Sequence, residues 1–204
     1  IEPFLNPTGN FSFSQLTVKE EGANLVSLGS LEAKLALEQN LVELPYFSLE
    51  ALDGNLAGQF YFDLNPQGWR LGLLSRITQL DLRQLLANST SSKNNSSKHA
   101  PVSARTAVEF DFNQRLLTGR IDITDINRPQ LLQLLELVDP EYTDSQINQV
   151  RTALRLAHPQ WLSVQMQNGL MNLDFGLSLF SQPLRAHGLP LSPIIERFGE
   201  AALA

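Results

Sequence analysis

Carboxylates in the second half of the sequence are the residues whose type and spacing could do chemistry. Glu109 and Asp111 lie two residues apart, and Asp122 and Asp125 follow with the same sign of charge. Paired carboxylates can act as general acid and base when one of them is buried enough to raise its pKa. The same residues also fit the solvent face of an alternating strand that ends at Asp125. We favour this second interpretation, so we expect no catalytic residue here.

The other residue types that carry chemistry are isolated. His99, His158 and His187 show no metal-ligand spacing, and the absence of cysteine removes thiolate ligands and nucleophiles. No serine lies in a Gly-X-Ser-X-Gly elbow, and no glycine pattern predicts a phosphate-binding loop. Trp69 and Trp161 each begin a predicted strand, where hairpin packing explains them better than ligand stacking. We therefore expect no metal and no cofactor.

Composition limits the class of protein. The 204 residues carry a formal net charge of −6, and the 15 basic residues are scattered, so we expect no nucleic-acid partner. No apolar run approaches the roughly 20 residues that span a bilayer. Because the chain opens at Ile1, we expect a fragment of a larger protein, in which a missing signal or anchor carries no weight.

Strict alternation of apolar and polar residues is the dominant pattern of the chain. Side chains on a strand point to opposite faces with period two, so each alternating segment predicts a strand with one apolar and one polar face. Asp53-Gly54 and Asn65 to Gly68 supply turns, and Asn168-Gly169 predicts a type I′ hairpin. The predicted strands that this pattern gives are 31–38, 41–50, 55–64, 69–77, 108–112, 117–123, 162–166 and 171–179.

Helices are predicted mainly in the second half. Asn127 with Pro129 predicts a helix start, Asp139-Pro140 its end, and Thr143 with Gln146 a capping box for a second helix. Further helical spacing is found at 80–86 and from Ser192 onward. Residues 87–104 are polar and of low complexity, which predicts a mobile loop. The chain is thus predicted to be a single α+β domain, 1–204: a twisted, mainly antiparallel sheet with a helix pair and a C-terminal helix on one face.

The summed apolar face of this sheet is the remaining candidate site. If the helices cover it, the face is an ordinary core; if part stays open, a concave face of Leu and Phe could hold acyl chains. The predicted lipid-binding residues are Phe60, Phe62, Leu64, Leu71, Leu73, Met171, Phe175 and Leu177.

A family resemblance adds to this interpretation. The stretch Leu41 to Gly58, continuing to Asp81-Leu82-Arg83-Gln84-Leu85-Leu86, resembles the β-rich repeats of the AsmA-like and TamB-like bacterial envelope proteins, as do 117–126 and 168–171. The resemblance covers about half the chain. It implies a periplasmic location, a tether to the inner membrane through a segment not present in this chain, and lipid transport or outer-membrane assembly. The helix pair at 128–158 departs from a plain repeating groove.

Three functional hypotheses follow. The first is a non-enzymatic envelope domain that binds or passes lipid, with a phospholipid or other acyl-chain ligand and with neighbouring domains or envelope proteins as partners. The second is an interaction or scaffold module whose sheet edges pair with a partner strand. The third is a carboxylate-dependent hydrolase that uses Asp111 or Asp122.

Overall fold

The protein is an α+β protein, mainly β, whose paired strands are antiparallel throughout, as predicted. The computed structural model describes residues 8–13, 16–20, 23–51, 53–80 and 101–192. The chain divides into two compact units, residues 1–116 and 117–204. This division does not fall in the predicted loop at 87–104, and the single domain spanning 1–204 stays a prediction.

The first unit is built from strands joined by short turns. Asp53 and Gln39 occupy turns with positive φ, and the amide of Gly68 donates to the Asn65 carbonyl at 2.9 Å. The predicted meander is therefore present, although the strand predicted at 31–38 already begins at Ala23 and the strand predicted at 108–112 already begins at Val102. Its strands are β1 (Thr8–Phe13), β2 (Leu16–Glu20), β3 (Ala23–Glu38), β4 (Leu41–Ala51), β5 (Gly54–Asp63), β6 (Arg70–Leu80) and β7 (Val102–Asp111).

Strand order in the first unit follows chain order from β3 onward. The row runs β1-β3-β4-β5-β6-β7, and β2 also pairs with β3. The 16-residue length of β3 makes this possible, because β2 pairs with its first part and β1 with its second. Residues 14 and 15, between β1 and β2, lie outside the described residues.

The second unit combines a strand row with the helix pair. Its strands are β8 (Leu116–Thr124), β9 (Pro159–Gln167), β10 (Leu170–Leu177) and β11 (Leu184–Pro190), paired in that order. Asn168 and Gly169 have φ of 53° and 75°, as a type I′ hairpin turn requires. The predicted hairpin is confirmed. Strand β11 was not predicted, because Gly188 and Pro190 weaken its alternation.

Helix α1 (Arg128–Val138) begins as the sequence predicts. The Asn127 side chain accepts the Gln130 amide at 2.9 Å, and the Gln130 side chain accepts the Asn127 amide at 3.1 Å, which completes a capping box. Helix α2 (Ser145–Ala153) differs from the prediction at its start. Asp144, not Thr143, is its N-cap, because the Asp144 carboxylate accepts the amides of Gln146 and Ile147.

The helix pair and the strands of the second unit bury each other's apolar faces. Leu131, Leu135, Ile147 and Val150 are at most 1% exposed, and the buried side chains continue with Leu154 and Ala157 beyond the end of α2. The second unit thus has a closed core, and the prediction that the helix pair packs on one face is confirmed.

One edge of the second unit is closed by a side chain. Gln146 on α2 donates its amide to the His187 carbonyl at 3.2 Å and accepts the His187 amide at 3.1 Å. Next along β11, Gly188 has φ of 73° and its amide donates to the Asn172 side chain. Bulges and side-chain pairing of this kind remove the free backbone groups that a foreign strand would need.

Two further predictions fall partly or wholly outside the described residues. The predicted loop at 87–104 is wrong at its end, since Val102 to Ala104 already belong to β7. The rest of that loop is not described. The short helix at 80–86 is predicted to begin at Leu80, which instead ends β6, and its remaining residues are not described. The C-terminal helix after Ser192 also lies outside the described residues.

Candidate apolar binding face

The apolar side chains of β4 to β7 form cross-strand rows on one face of the first unit. We call this the apolar face. Residues opposite each other on paired strands share a face, so the register defines each row. The rows, written from β4 to β7, are Val42–Phe62–Leu71–Phe110, Leu44–Phe60–Leu73–Val108, Phe47–Gly58–Ser75–Thr106 and Leu49–Leu56–Ile77–Ala104.

The first two rows carry large apolar side chains that remain half-buried. Phe60 lies opposite Leu73, and Phe62 lies opposite Leu71, so four of the predicted lipid-binding residues are brought together. All four are half-buried, as is Leu64 just after β5. None of the described residues of the first unit is helical, so no helix among them covers these rows.

Exposed aromatic rings extend the first row. Phe62 packs edge-on against Trp69 with ring centroids 6.0 Å apart, and Phe112 lies 5.9 Å from Phe62 and 4.9 Å from Phe110. Trp69 is 51% exposed and Phe112 is 42% exposed. This end of the apolar face therefore presents aromatic surface to solvent, a surface that usually marks a binding site when it is contiguous.

The third row is small and polar except for Phe47, which is buried. Gly58, Ser75 and Thr106 lie side by side, and the Ser75 and Thr106 hydroxyls are 2.8 Å apart and buried. This hydrogen bond satisfies both hydroxyls away from water. It separates the two large apolar rows, which include Phe60 and Phe62, from the Leu49 row, in which Leu49, Leu56 and Ile77 are also half-buried.

The predicted site residues of the second unit lie in a different environment. Met171, Phe175 and Leu177 on β10 are 3%, 0% and 2% exposed. Phe175 is opposite Leu162 on β9 and Leu184 on β11, within the core that the helix pair closes. These three side chains contact protein on all sides and do not form part of the apolar face.

Several residues of the apolar face are absent from the predicted site. Val42, Leu44, Val108 and Phe110 complete its two large rows. Alternation at 41–44 and 108–112 was visible in the sequence, but register across strands was needed to place these residues beside Phe60 and Leu73. Trp69, expected to be a hairpin residue, lies in the aromatic cluster.

The opposite face of the first unit is polar and held by specific contacts. The Tyr61 hydroxyl donates to the Glu109 carboxylate, and its ring covers Gly72 on the neighbouring strand. Burial, the hydrogen bond to Glu109 and the charge of Glu109 together raise the pKa of Tyr61 to about 12. Tyr61 is therefore a neutral donor at physiological pH.

The carboxylates weighed as acid–base candidates have structural contacts. Asp111 accepts the amides of Asn113 and Gln114 at 2.9 Å and lies 3.5 Å from Arg70. Asp122 pairs with Arg120 at 2.8 Å on an exposed surface. These are the contacts of a turn-forming carboxylate and of a surface ion pair.

The remaining chemistry-bearing side chains form no metal cluster among the described residues. His187 lies 3.1 Å from Asp174 on an exposed surface, and the His158 amide donates to Ser178. His99 is not described. Trp161 places its indole over Gly176, its cross-strand partner, as expected for hairpin packing.

Comparison with known proteins gives no further information on this site. No family model, no curated protein and no solved structure matches the chain. Among the described residues, no helix has both the length and the apolar character needed to cross a bilayer.

Proposed function

We propose that the apolar face of the first unit binds acyl chains, and that the chain is a non-enzymatic domain of a large bacterial envelope protein. In this proposal the domain lies in the periplasm and is tethered to the inner membrane by a segment outside these 204 residues. Its ligand is a phospholipid or another molecule with an acyl chain.

The observation that carries the proposal is a difference in burial between similar patterns. Phe175 and Phe60 both lie on alternating apolar strand faces, but Phe175 is 0% exposed whereas Phe60 is half-buried. The helix pair of the second unit explains the first value, and the described residues of the first unit contain no helix that could do the same for Phe60. Apolar side chains that remain partly in water are available to a hydrocarbon ligand.

The dimensions of the apolar face suit a hydrocarbon chain. The two large rows cross β4 to β7, which span roughly 14 Å because neighbouring strands lie about 4.8 Å apart. Each methylene group that leaves water on this surface contributes about 0.8 kcal/mol. An acyl chain lying along Phe60 and Leu73 would gain affinity through many such contacts, with no need for a charged partner.

Photo-crosslinking tests the proposal. The purified protein is incubated with a phospholipid that carries a diazirine in its acyl chain, irradiated and mapped by mass spectrometry. We expect labels on peptides that contain Phe60, Phe62, Leu71 or Leu73. Labels confined to other peptides, or no label at all, would contradict the proposal.

Adjacent leucines on β6 provide a matched control. Leu73 faces the apolar rows, whereas Leu74 points to the opposite face and is 55% exposed. Leu73→Gln should reduce labelling severalfold, and Leu74→Gln should leave it unchanged. Circular dichroism checks that both variants are folded, and Phe60→Ser provides a second test if Leu73→Gln is not. Equal labelling of the Leu73 and Leu74 variants would overturn the proposal.

Strand pairing at β1 is a second candidate function, favoured by one observation. β1 lies at the end of the strand row, carries no charged residue, and has exposed side chains at Thr8, Asn10 and Ser12. Uncharged edge strands are templates for pairing with another strand. Native mass spectrometry separates the candidates, because a copurifying lipid supports the first and self-association or a protein partner supports the second.

A charge on β1 tests this second candidate. Ser12 lies opposite Glu32 on β3, so Ser12→Lys introduces a cation beside an acid and should fold normally. Loss of self-association in this variant would support pairing at β1. Unchanged association would exclude β1 as the paired edge.

A further inference from the structure

Two arginines lie directly opposite each other on neighbouring strands of the first unit. Arg76 on β6 is paired in register with Arg105 on β7, and both side chains are exposed. Since Ser75 and Ile77 belong to the apolar face, Arg76 and Arg105 point to the opposite, polar face. The Cβ atoms of directly opposite residues are about 5 Å apart, a distance at which like charges repel.

The neighbours of the pair on β5 and in the next row of β6 and β7 carry no counter-charge. Arg76 lies opposite Ala57 on β5, and Leu74 lies opposite Ala107 in the next row on the same face. Among the described residues, neither Arg76 nor Arg105 forms an ion pair or a side-chain hydrogen bond. On these sides the arginine pair is therefore flanked by alanines and a leucine.

Two acids on this face of β4 and β7 have other partners. Glu109, further along β7, accepts the Tyr61 hydroxyl, and Glu50 on β4 accepts the Ser30 amide at 3.3 Å. At the other end of the same two strands, Arg70 lies opposite Asp111, 3.5 Å away. The register of β6 and β7 thus places a carboxylate opposite Arg70 but places two arginines opposite each other at Arg76 and Arg105.

We propose that Arg76 and Arg105 together bind a phosphate group. Two guanidinium groups that project from adjacent strands present planar sets of N–H donors whose geometry matches phosphate oxygens. An anion that accepts hydrogen bonds from both guanidinium groups would replace their mutual repulsion with two attractive contacts. The phosphate belongs either to free inorganic phosphate or to a phospholipid headgroup. This inference does not rest on the acyl-chain proposal, because the arginines lie on the other face of the sheet.

Thermal unfolding in phosphate tests the site. The melting temperature of the wild-type protein is measured in sodium phosphate and in sodium chloride at equal ionic strength. A ligand that binds only the folded state raises the melting temperature, and we expect a rise of about 2 °C or more once phosphate exceeds its dissociation constant severalfold. Equal melting temperatures in the two salts would overturn the proposal.

Substitution of either arginine sharpens the test. Arg76→Gln and Arg105→Gln each remove the repulsion, so each should raise the melting temperature in chloride at low ionic strength and abolish the extra stabilisation by phosphate. Arg120→Gln, which removes a surface arginine paired with Asp122, should keep that extra stabilisation. Phosphate stabilisation that survives in both Arg76→Gln and Arg105→Gln would place the phosphate elsewhere and refute the site.

Vesicles distinguish the two sources of phosphate. Sedimentation is measured with phosphatidylglycerol vesicles and with phosphatidylcholine vesicles, for wild type and for Arg76→Gln. If wild type binds the anionic vesicles and Arg76→Gln binds them severalfold more weakly, the phosphate belongs to a lipid headgroup. Stabilisation by inorganic phosphate without any such vesicle binding assigns free phosphate. If the arginine variants change neither measurement, the pair is only a solvated surface feature.

Discussion

Arg151 and Asp139 form a buried ion pair, with Nη1 of the arginine 2.8 Å from Oδ2 of the aspartate. Nη2 of Arg151 also donates to the carbonyls of Leu135 and Asp139, and the guanidinium lies 3.9 Å from the centre of the Tyr142 ring. A cation from α2 thus satisfies the last carbonyl groups of α1. The helix pair that closes the core of the second unit is joined at this point.

Removing one partner of this pair should strongly destabilise the protein. Asp139→Ala leaves the Arg151 charge buried without a counter-ion, which costs about 3–5 kcal/mol. Chemical unfolding followed by circular dichroism measures the loss. The control is Asp122→Ala, which breaks an exposed ion pair with Arg120 and should cost less than about 1 kcal/mol. Similar losses in the two variants would show that the Asp139 pair is no stronger than a surface contact.

The same aspartate should make stability depend on pH in the acid range. Burial alone would raise the pKa of Asp139, but hydrogen bonds from the Thr143 amide, Arg151 and the Asp144 amide outweigh burial and lower it. A carboxyl group whose pKa is lower in the folded state stabilises the protein at pH values above its unfolded pKa, about 3.9. This contribution is lost as pH falls from there through the folded pKa.

Unfolding free energies between pH 7 and pH 2 test this dependence. The wild-type value should fall below about pH 4 more steeply than that of Asp139→Asn, which cannot titrate at this position. Parallel curves for the two proteins would show that Asp139 does not contribute.

The packing of Trp161 over Gly176 predicts a steric effect. A Cβ atom at position 176 would meet Nε1, Cε2 and Cδ1 of the Trp161 indole. Gly176→Ala should therefore displace the ring and cost about 1–3 kcal/mol, the usual penalty for overpacking. Measured in a Trp69→Phe background, the fluorescence of Trp161 should shift to longer wavelength.

Gly9 provides the control for this substitution. A Cβ atom there would have no neighbour within 4 Å, so Gly9→Ala should change stability by no more than a few tenths of a kcal/mol. An unshifted fluorescence spectrum in Gly176→Ala would mean that the position of the Trp161 ring does not depend on the absence of a side chain at position 176.

Two phenylalanines should separate the closed core from the apolar face. Phe175 is completely buried, so Phe175→Ala should cost about 3–5 kcal/mol. Phe60 is half-buried, and Phe60→Ala should cost less than half as much because part of its ring is already in water. Denaturant unfolding measures both. Equal costs would mean that the Phe60 environment is as closed as the core.

Local patterns in the sequence were sufficient for most of the secondary structure. Alternation located β4, β5 and β6, Asn168-Gly169 located the last hairpin, and Asn127 located the start of α1. Each of these signals depends on residues that are close together in the chain. The cap of α2 was misplaced by one residue, because Thr143 and Asp144 are both good caps and only the folded backbone decides between them.

Properties that depend on distant residues could not be predicted. Phe60 and Phe175 lie in equally regular alternating segments, but Phe175 is enclosed in the unit that contains the helix pair, whereas Phe60 is half-buried in a unit whose described residues contain no helix. The opposition of Arg76 and Arg105 depends on the register of β6 and β7, which are separated by a long segment of chain. The alternation of residues along a strand shows which face of the sheet a side chain lies on, but it does not show which residue of the neighbouring strand lies opposite.

The contact between Gln146 and His187 has a consequence for how copies of this protein could polymerise. With both backbone groups of His187 already occupied, an incoming strand cannot dock in register along β11. Fibre growth by strand addition at that end requires the glutamine to release its partner first. Gln146→Ala would remove this protection, and the variant should form thioflavin-positive aggregates sooner than wild type at the same concentration.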